Sequence, residues 1–506
     1  MKKSVIMLML LTIISKISGF LRDLTLAYFY GASEISDIFL ISLSIPTIIF
    51  GVIAAGISTG YIPLYSKIDN QFGEDSGIRF TNNLIGILMS ICTVIVILAL
   101  IFTEYLVKIF AFGFEGEVLE LAVMFTRVSI FGIYFTIIIR ILSAYLNYKQ
   151  IFAVPSLIGI PMNLVLIVSI IISSSTGWIY LLAFANVLAL FVQLLIIIFF
   201  ACRHSFYFVP VFKPQDRHIK EMAALSLPVI LGSSVTQINR LVDRSLASWV
   251  AIGGISSINY ANTLNTSFIG IFVSSFVTVF YPDISKRAAK GDIDGLKYIM
   301  NQTIAGVMLL IIPATAGAMV FAEPIVRFLF ARGAFDESAV SLTSSAFFFY
   351  SLGMSGAGIN LILTRTFFAL QDTRTPMVNS AISMGINVVL SFTLAPVIGI
   401  GGIALATSTA SIITALLLFK SLRKKLGQLH LKRMIPSFIK ICAASAVSAV
   451  IAWIIYTLPG AGASDPLLLA ISILLMITIY SGLIYILKVE GADTFVKSII
   501  RRFNKR

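Results

Sequence analysis

The chain is a succession of apolar runs, each long enough to cross a lipid bilayer, separated by short polar loops. A spanning helix needs about 20 mostly apolar residues, and in hydrocarbon its backbone groups must bond within the segment. About fourteen runs meet that length: 4–29, 36–66, 82–111, 119–147, 152–174, 177–201, 221–250, 254–281, 300–330, 338–369, 376–397, 400–420, 434–457 and 466–488. Of the 506 residues 58% are hydrophobic and 12% charged, against roughly 25% charged in a soluble domain. The expected fold class is therefore an all-α polytopic membrane protein. The first run lacks a small-residue cleavage site and is too long for the apolar core of a signal peptide, so it is expected to remain as the first span.

Several chemistries have no residues to carry them. Cys92, Cys202 and Cys442 are far apart and show no metal-ligand spacing, which reads as packing. His204, His218 and His430 all fall in polar loops. Neither a zinc site nor a Cys–His or Ser–His–Asp nucleophile can be assembled, and no cofactor is expected.

The net charge of +14 is sorted by loop. One set holds Lys2 and Lys3, "YSKIDNQFGEDSGIRF", "NYKQ", "RHSFYFVPVFKPQDRHIKE", "SKRAAKGDIDGLK", "QDTRTP", "KSLRKKLGQLHLKR" and the tail "KSIIRRFNKR". The alternating set, "YGASEIS", "AFGFEGE", "SSSTG", "AIGGIS", "ARGAFDES", "VIGIGG" and "LPGAGASDP", is nearly free of Lys and Arg. Cytoplasmic loops concentrate positive charge, so an even number of spans puts both termini in the cytoplasm. The basic excess is an orientation device facing anionic membrane lipids, and nucleic acid is not an expected partner.

The sequence also repeats. "LRDLTLAYFYGASEISDIFL" (21–40) laid over "LVDRSLASWVAIGGISSINY" (241–260) matches Leu21, Asp23, Leu26, Ala27, Ile35, Ser36 and Ile38 to identical residues. "YIPLYSK" (61–67) and "FYPDISK" (280–286) continue the match. Both copies start on the same side, so the repeat is parallel, and such two-lobed transporters hold their substrate between the lobes. The expected domains are an N-terminal lobe at 1–203, a basic linker, a second lobe at 221–425, and an appended helix pair with a basic tail at 430–506.

Charge inside the runs is the strongest functional signal. At about 1.5 Å per residue, Lys16 lies roughly 18 Å and Arg22 roughly 27 Å along a helix starting near residue 4. Ser15 and Arg22 share one stripe, and Lys16, Gly19 and Asp23 the adjacent one. Charges at such depth face a bundle interior or a watery cavity. "SSVTQINRLVDRSLAS" repeats the design, with Thr236, Arg240 and Arg244 in one row beside Asn239 and Asp243. One reading of Arg22 with Asp23, or Asp243 with Arg244, is an internal ion pair that locks helices. Yet Lys16, Arg22, Arg240 and Arg244 outnumber Asp23, Asp37 and Asp243, and a cation surplus aimed inward favours an anion such as phosphate. Arg327 and Arg140 lie near loops, where snorkelling accounts for them. Gly19, Gly31, Pro46, Gly51, Gly56, Gly60 and Pro63 punctuate the first two helices, either for close packing or for movement.

These residues resemble a known family. "SKISGFLRDLTLAYFYGASEISDIFLISLSIP", "AFGFEGEVLELAVMFTR", "LNYKQIFAVPSLIGIPMNLVLI", "RGAFDESAV" and "FFALQDTRTPM", in that order, are similar to the signatures of the MurJ (MviN) lipid II flippases. That family lies in the multidrug/oligosaccharidyl-lipid/polysaccharide exporter superfamily. The resemblance implies fourteen helices in two lobes around a central cavity, and transfer of an undecaprenyl-pyrophosphate-linked peptidoglycan precursor between leaflets of the bacterial cytoplasmic membrane. It further implies a non-enzymatic transporter working with the cell wall synthesis machinery, its last two helices bordering a groove for the polyprenyl tail. Ser15, Gly19, Arg22, Asp23 and Asp37 fall on the family's functional pattern, and Lys16 stands where Arg is common. "PTIIFGVIAAG" (46–56) lacks charged residues that some members carry, and Thr263 stands where an Arg is common, so the second cation would be Arg240 or Arg244. The expected roles are substrate binding by Lys16, Arg22, Arg240 and Arg244, with Ser15, Gly19, Asp23, Asp37 and Asp243 shaping the cavity or gate. Rival readings are a flippase for another undecaprenyl-linked glycan and a cation-coupled drug exporter. A membrane glycosyltransferase or phosphatase would need catalytic residues in an aqueous loop, and the loops lack them.

Overall fold

A computed structural model describes residues 2–429, 435–458 and 466–489. The basic stretch at 430–434, with His430, the loop residues 459–465 and the basic tail beyond 489 lie outside the described residues. Among those described, every regular element is helical. The first half holds α1 (Lys2–Tyr30), α2 (Glu34–Phe72), α3 (Glu74–Ile101), α4 (Thr103–Phe110), α5 (Gly116–Ser129) and α6 (Gly132–Tyr148). It continues through α7 (Ala153–Leu157), α8 (Gly159–Thr176) and α9 (Tyr180–Arg203). The second half holds α10 (Arg217–Val250), α11 (Gly254–Ile269), α12 (Ser275–Ala289), α13 (Ile293–Val320) and α14 (Ala322–Phe330). A π-helical turn, Gly270–Ser274, joins α11 to α12. Then come α15 (Glu337–Leu352), α16 (Met354–Ala369), α17 (Arg374–Ile398), α18 (Ile400–Leu426), α19 (Ile435–Tyr456) and α20 (Pro466–Ile486).

Each of the expected apolar runs falls on a helix or a broken pair. By length and apolarity nine helices among the described residues qualify as spans, or twelve when each bent pair counts as one, so the expected number of fourteen crossings is not reached by that criterion. The pairs bend for a local reason. α5 and α6 meet at 41° and α15 and α16 at 46°, each across a short unwound joint. α10 bends by 54° between Leu227 and Gly232.

The repeat is visible in backbone detail. Phe102 and Phe321 end α3 and α13 with φ/ψ of −103°/25° and −101°/23°. Each opens a short amphipathic helix with an i,i+4 ion pair, Lys108–Glu104 at 2.8 Å and Arg327–Glu323 at 2.9 Å. Arg327 also binds Glu337 at 2.6 Å, so it is clasped by carboxylates rather than merely snorkelling. α6 and α16 end alike too, at left-handed Gln150 (φ 61°) and Gln371 (φ 58°). The next N–H bonds back to Leu146 O at 2.8 Å and Phe367 O at 2.9 Å respectively, which closes each helix.

Contacts divide the chain into two compact units, Met1–Ser256 with Arg332–Asp336, and Ser257–Ala331 with the residues from Glu337 onward. In the first, α2 is the hub and packs on α10, α6, α5 and α3, while α1 lies along α8. Gly51, Gly56 and Gly60 face α10: an added Cβ would come within 2.9 Å of Gln237 Nε2, 2.6 Å of Ser226 Cβ and 2.9 Å of Met222 Sδ. These glycines therefore serve close packing. At the far end of α2, buried Tyr61, Tyr65 and Tyr145 form an aromatic core, with Tyr61 and Thr81 hydroxyls bonded at 2.7 Å.

The basic linker is tied down. Asn82 Nδ2 donates to Tyr207 O at 3.0 Å and its Oδ1 accepts from Val209 N at 3.2 Å. Next to it Asn83 binds both the carbonyl and the N–H of Lys213, at 3.0 and 2.6 Å. The linker backbone, which has no helix or sheet partner there, thus finds its hydrogen bonds on α3.

In the second unit α17 and α18 form the most extensive helix pair, and α15, α16 and α13 pack around them. A buried polar row runs along their seam: Asn379 Nδ2 to Ser421 Oγ at 3.0 Å, Ser383 Oγ to Ala410 O at 2.6 Å, and Asn387 Nδ2 to Thr407 Oγ1 at 3.2 Å. α19 and α20 pack on each other and on α13 around Phe321, Ala449, Ala452, Tyr456, Leu469 and Met476.

Candidate functional site

The charged stripe of α1 meets α8. Arg22 and Asp23 are sequence neighbours, and the guanidinium folds back so that Nε and Nη2 both donate to Asp23 Oδ1, at 3.1 and 2.7 Å. Nη1 donates to Asn163 Oδ1 on α8 at 3.4 Å. Asn163 Nδ2 in turn donates to Ser18 Oγ at 2.8 Å, and Ser18 Oγ donates to Ser15 O at 2.7 Å. Small residues make this crossing feasible. A Cβ on Gly19 would sit 3.6 Å from Asn163 Nδ2, and one on Gly159 would sit 2.6 Å from Ser15 Oγ.

Ser15, Gly19, Arg22 and Asp23 are therefore gathered with Ser18 and Asn163, two residues that sequence reasoning did not single out. Asn163 had a signal: an asparagine inside the apolar run "LIGIPMNLVLI". Asp23 is buried, whereas the Arg22 side chain keeps 22% of its surface exposed. A guanidinium has five N–H donors, and the three bonds above leave capacity for an anion. A guanidinium with N–H groups to spare can receive a phosphate in a bidentate manner. Arg22 and Asp23 thus form an ion pair within α1, with a further bond from Arg22 to α8.

Asp37 lies elsewhere. It sits in the first turn of α2, 1% exposed, and its carboxylate accepts from Ser256 N and Ser256 Oγ, both at 2.7 Å, and from Ile255 N at 3.4 Å. Those are the free N–H groups at the start of α11, so Asp37 caps that helix from outside it. On α10, Asn239 Nδ2 donates to buried Asp243 Oδ2 at 3.3 Å. Arg240 is exposed and Arg244 partly so, and Lys16 is exposed on α1. Elsewhere Arg365 lies 5.4 Å over the Tyr281 ring, a cation–π contact. Among the described residues no group of three or more His, Cys, Asp or Glu is placed to hold a metal.

Comparison with known proteins places this geometry. The family model for lipid II flippase MurJ matches residues 26–497. A probable lipid II flippase MurJ of Rickettsia prowazekii is 27% identical over 507 residues, covering 98% of this chain and 99% of that one. One of Rhizobium meliloti is 27% identical over 455 residues, 88% of this chain and 84% of that relative. Among solved structures, a lipid II flippase MurJ in an inward closed conformation superposes with a TM-score of 0.82 at 25% identity, over 99% of this chain and 100% of that one. An inward-facing multidrug MATE transporter of the MOP superfamily shares the fold, with a TM-score of 0.69 at 15% identity over 84% and 98% of the two chains. With its length matched almost throughout, and its polar cluster on the helices where the signature residues lie, this chain belongs to the MurJ family of lipid II flippases.

Proposed function

We propose that this protein carries lipid II, the undecaprenyl-pyrophosphate-linked peptidoglycan precursor, from the inner to the outer leaflet, by alternating access of lobes 1–203 and 221–425. It is a multi-pass protein of the bacterial inner membrane and a transporter rather than an enzyme. The observation that carries the substrate reading is Arg22, held by Asp23 and Asn163 while its side chain stays partly exposed. In our reading Arg22 binds the pyrophosphate together with Lys16 and with Arg240 or Arg244, while Ser15 and Gly19 keep α8 close enough for Asn163 to reach. Asp37 and Asp243 act on the cavity or its closure. Both termini are cytoplasmic, and delivery to the outer leaflet feeds the cell wall synthesis machinery.

The test is depletion of the protein in growing cells, followed by identification of the lipid-linked precursor that builds up on the inner leaflet. Accumulation of lipid II supports the reading, and accumulation of a different undecaprenyl-linked glycan overturns the cargo. Arg22→Ala is expected to abolish transfer while leaving folded protein in the membrane. Arg22→Lys is expected to retain part of it, because the charge stays and the planar fork goes. Full transfer by folded Arg22→Ala would remove Arg22 from the mechanism.

A further inference from the structure

Two loops that follow the short amphipathic helices are related by the repeat, "FGF" at 112–114 and "RGAF" at 332–335. Each presses a glycine onto the last turn of a charged helix. A Cβ on Gly113 would overlap Ser248 O and lie 2.7 Å from Trp249 Cα, at the end of α10. A Cβ on Gly333 would overlap Tyr28 O and lie 3.2 Å from its carbonyl carbon, at the end of α1. Tyr28 and Ser248 occupy equivalent places in the aligned repeat. The loop of the first copy therefore rests on the helix of the second, and the loop of the second copy rests on the helix of the first.

Hydrogen bonds seal both contacts. Gly113 N donates to Ser248 Oγ at 3.0 Å, and Ala334 N donates to Tyr28 O at 2.8 Å. Between them the contact is continuous. Gly253, at φ 72°, has Ala32 O where its Cβ would be, and Gly31, at φ 63°, has Ala334 O there. Asp37 binds Ser256 one turn further on. The glycine contacts are backbone against backbone, and the Ser248 hydroxyl and the Asp37 carboxylate tie them to the neighbouring helix ends.

We propose that the Gly113–Ser248 and Gly333–Tyr28 contacts are a reciprocal clasp on the C-terminal ends of α1 and α10, and that its two halves part together in each transport cycle. The clasp rests on geometry alone, and its place in a cycle rests on the flippase reading above. Either glycine given a methyl group must push the neighbouring carbonyl away, because the closest atom is a backbone oxygen and not the end of a flexible side chain. Parting at one half then disturbs the other through Gly253, Ala32, Gly31 and Ala334.

The experiment uses the purified full-length protein with Cys92, Cys202 and Cys442 replaced by serine and Ser36→Cys as reporter. Ser36 has no exposed surface, and its hydroxyl donates to Gly31 O at 2.8 Å, so a thiol there reacts only when the clasp opens. Gly333→Ala, beside the reporter, is expected to raise the labelling rate severalfold. Gly113→Ala, at the opposite half, is expected to raise it similarly. Ser248→Ala removes the acceptor of Gly113 N, along with a bond from Ser248 Oγ to Ser245 O inside α10, and adds no bulk, so it is expected to give a smaller rise and decides the matter if a glycine variant misfolds. Labelling that responds to Gly333→Ala alone, with Gly113→Ala and Ser248→Ala at the parent rate, would overturn the coupling. Faster labelling in Gly113→Ala with undiminished lipid delivery in cells would overturn the role in the cycle. A cargo other than lipid II would leave the labelling result standing.

Discussion

At the scale of single residues, Asn163 changes how the α1 charges are understood. Its amide serves two masters, Ser18 through Nδ2 and Arg22 through Oδ1, and so fixes both the helix crossing and the direction of the guanidinium. Asn163→Ala is expected to leave a folded protein with reduced transfer, less impaired than Arg22→Ala. The double variant is expected to be no worse than Arg22→Ala, because residues in one network couple rather than add. Additive losses, measured as lipid II delivery at matched expression, would show that Asn163 acts independently of Arg22. The sequence made Arg22, Asp23, Ser15 and Gly19 legible because charge and small residues inside an apolar run are costly and periodic. It left Asn163 unmarked because neutral amides recur in the spans for other ends: Asn379 and Asn387 bond across α17 and α18, and Asn82 and Asn83 hold a loop. Only a partner from another helix separates these uses, and partners are what a single sequence does not display. Arg327 illustrates the same limit, since its distance from the loop was readable and its two carboxylates were not.

Among the elements, the turn between α16 and α17 shows what a short polar loop motif does physically. In "QDTRTP" Asp372 accepts from Thr375 N at 3.0 Å and Thr375 Oγ1 at 2.9 Å, in the manner of a helix cap, and from Lys425 Nζ at 2.7 Å on the end of α18. The Lys425 ammonium and these hydrogen bonds hold its carboxyl down at about 2, below the ordinary carboxylate value. A depressed folded-state value means that the stabilisation is fully present above the ordinary carboxylate pKa and is lost as pH falls through the folded one. Thermal unfolding of Asp372→Asn is therefore expected to lie below that of the parent at neutral pH and to converge with it between about pH 4 and pH 2. A cap of this kind is worth about 1 kcal/mol, and the exposed lysine adds little through screening water. An unchanged difference at pH 2 would mean that the side chain acts through shape rather than charge. The loop at 203–220 carries the opposite lesson. Its polar, basic composition reads as a slack connector, yet two adjacent asparagines of α3 bind its backbone at 207–213.

For the whole molecule, the helical class and the approximate position of every apolar run followed from hydropathy, since lipid leaves the backbone few alternatives, and the repeat followed from matched residues. The breaks did not follow. Hydropathy is continuous through 130–131 and 353, where α5 gives way to α6 and α15 to α16, and a single glycine at each joint, Gly132 and Gly353, is no different from glycines inside unbroken helices. Orientation is still a matter of loop charge, and it can be measured. Single cysteines from Glu117→Cys and Asp336→Cys in a cysteine-free background are expected to react with an impermeant thiol reagent in intact cells, and one from Gln215→Cys to stay protected. All three side chains are exposed in the fold, so a protected site reports the membrane and not burial. Labelling of Gln215→Cys alone would invert the topology. The crossed glycine contacts have a consequence of another kind, for ancestry. Surface a of one copy meets surface b of the other, and b of the first meets a of the second, which is the pairing rule of an isologous two-fold dimer. A half-length chain bearing one loop and one charged helix would offer both surfaces at once. Such a chain would meet its own twin through the contacts that Gly113 and Gly333 make here, before any fusion joined the two genes end to end.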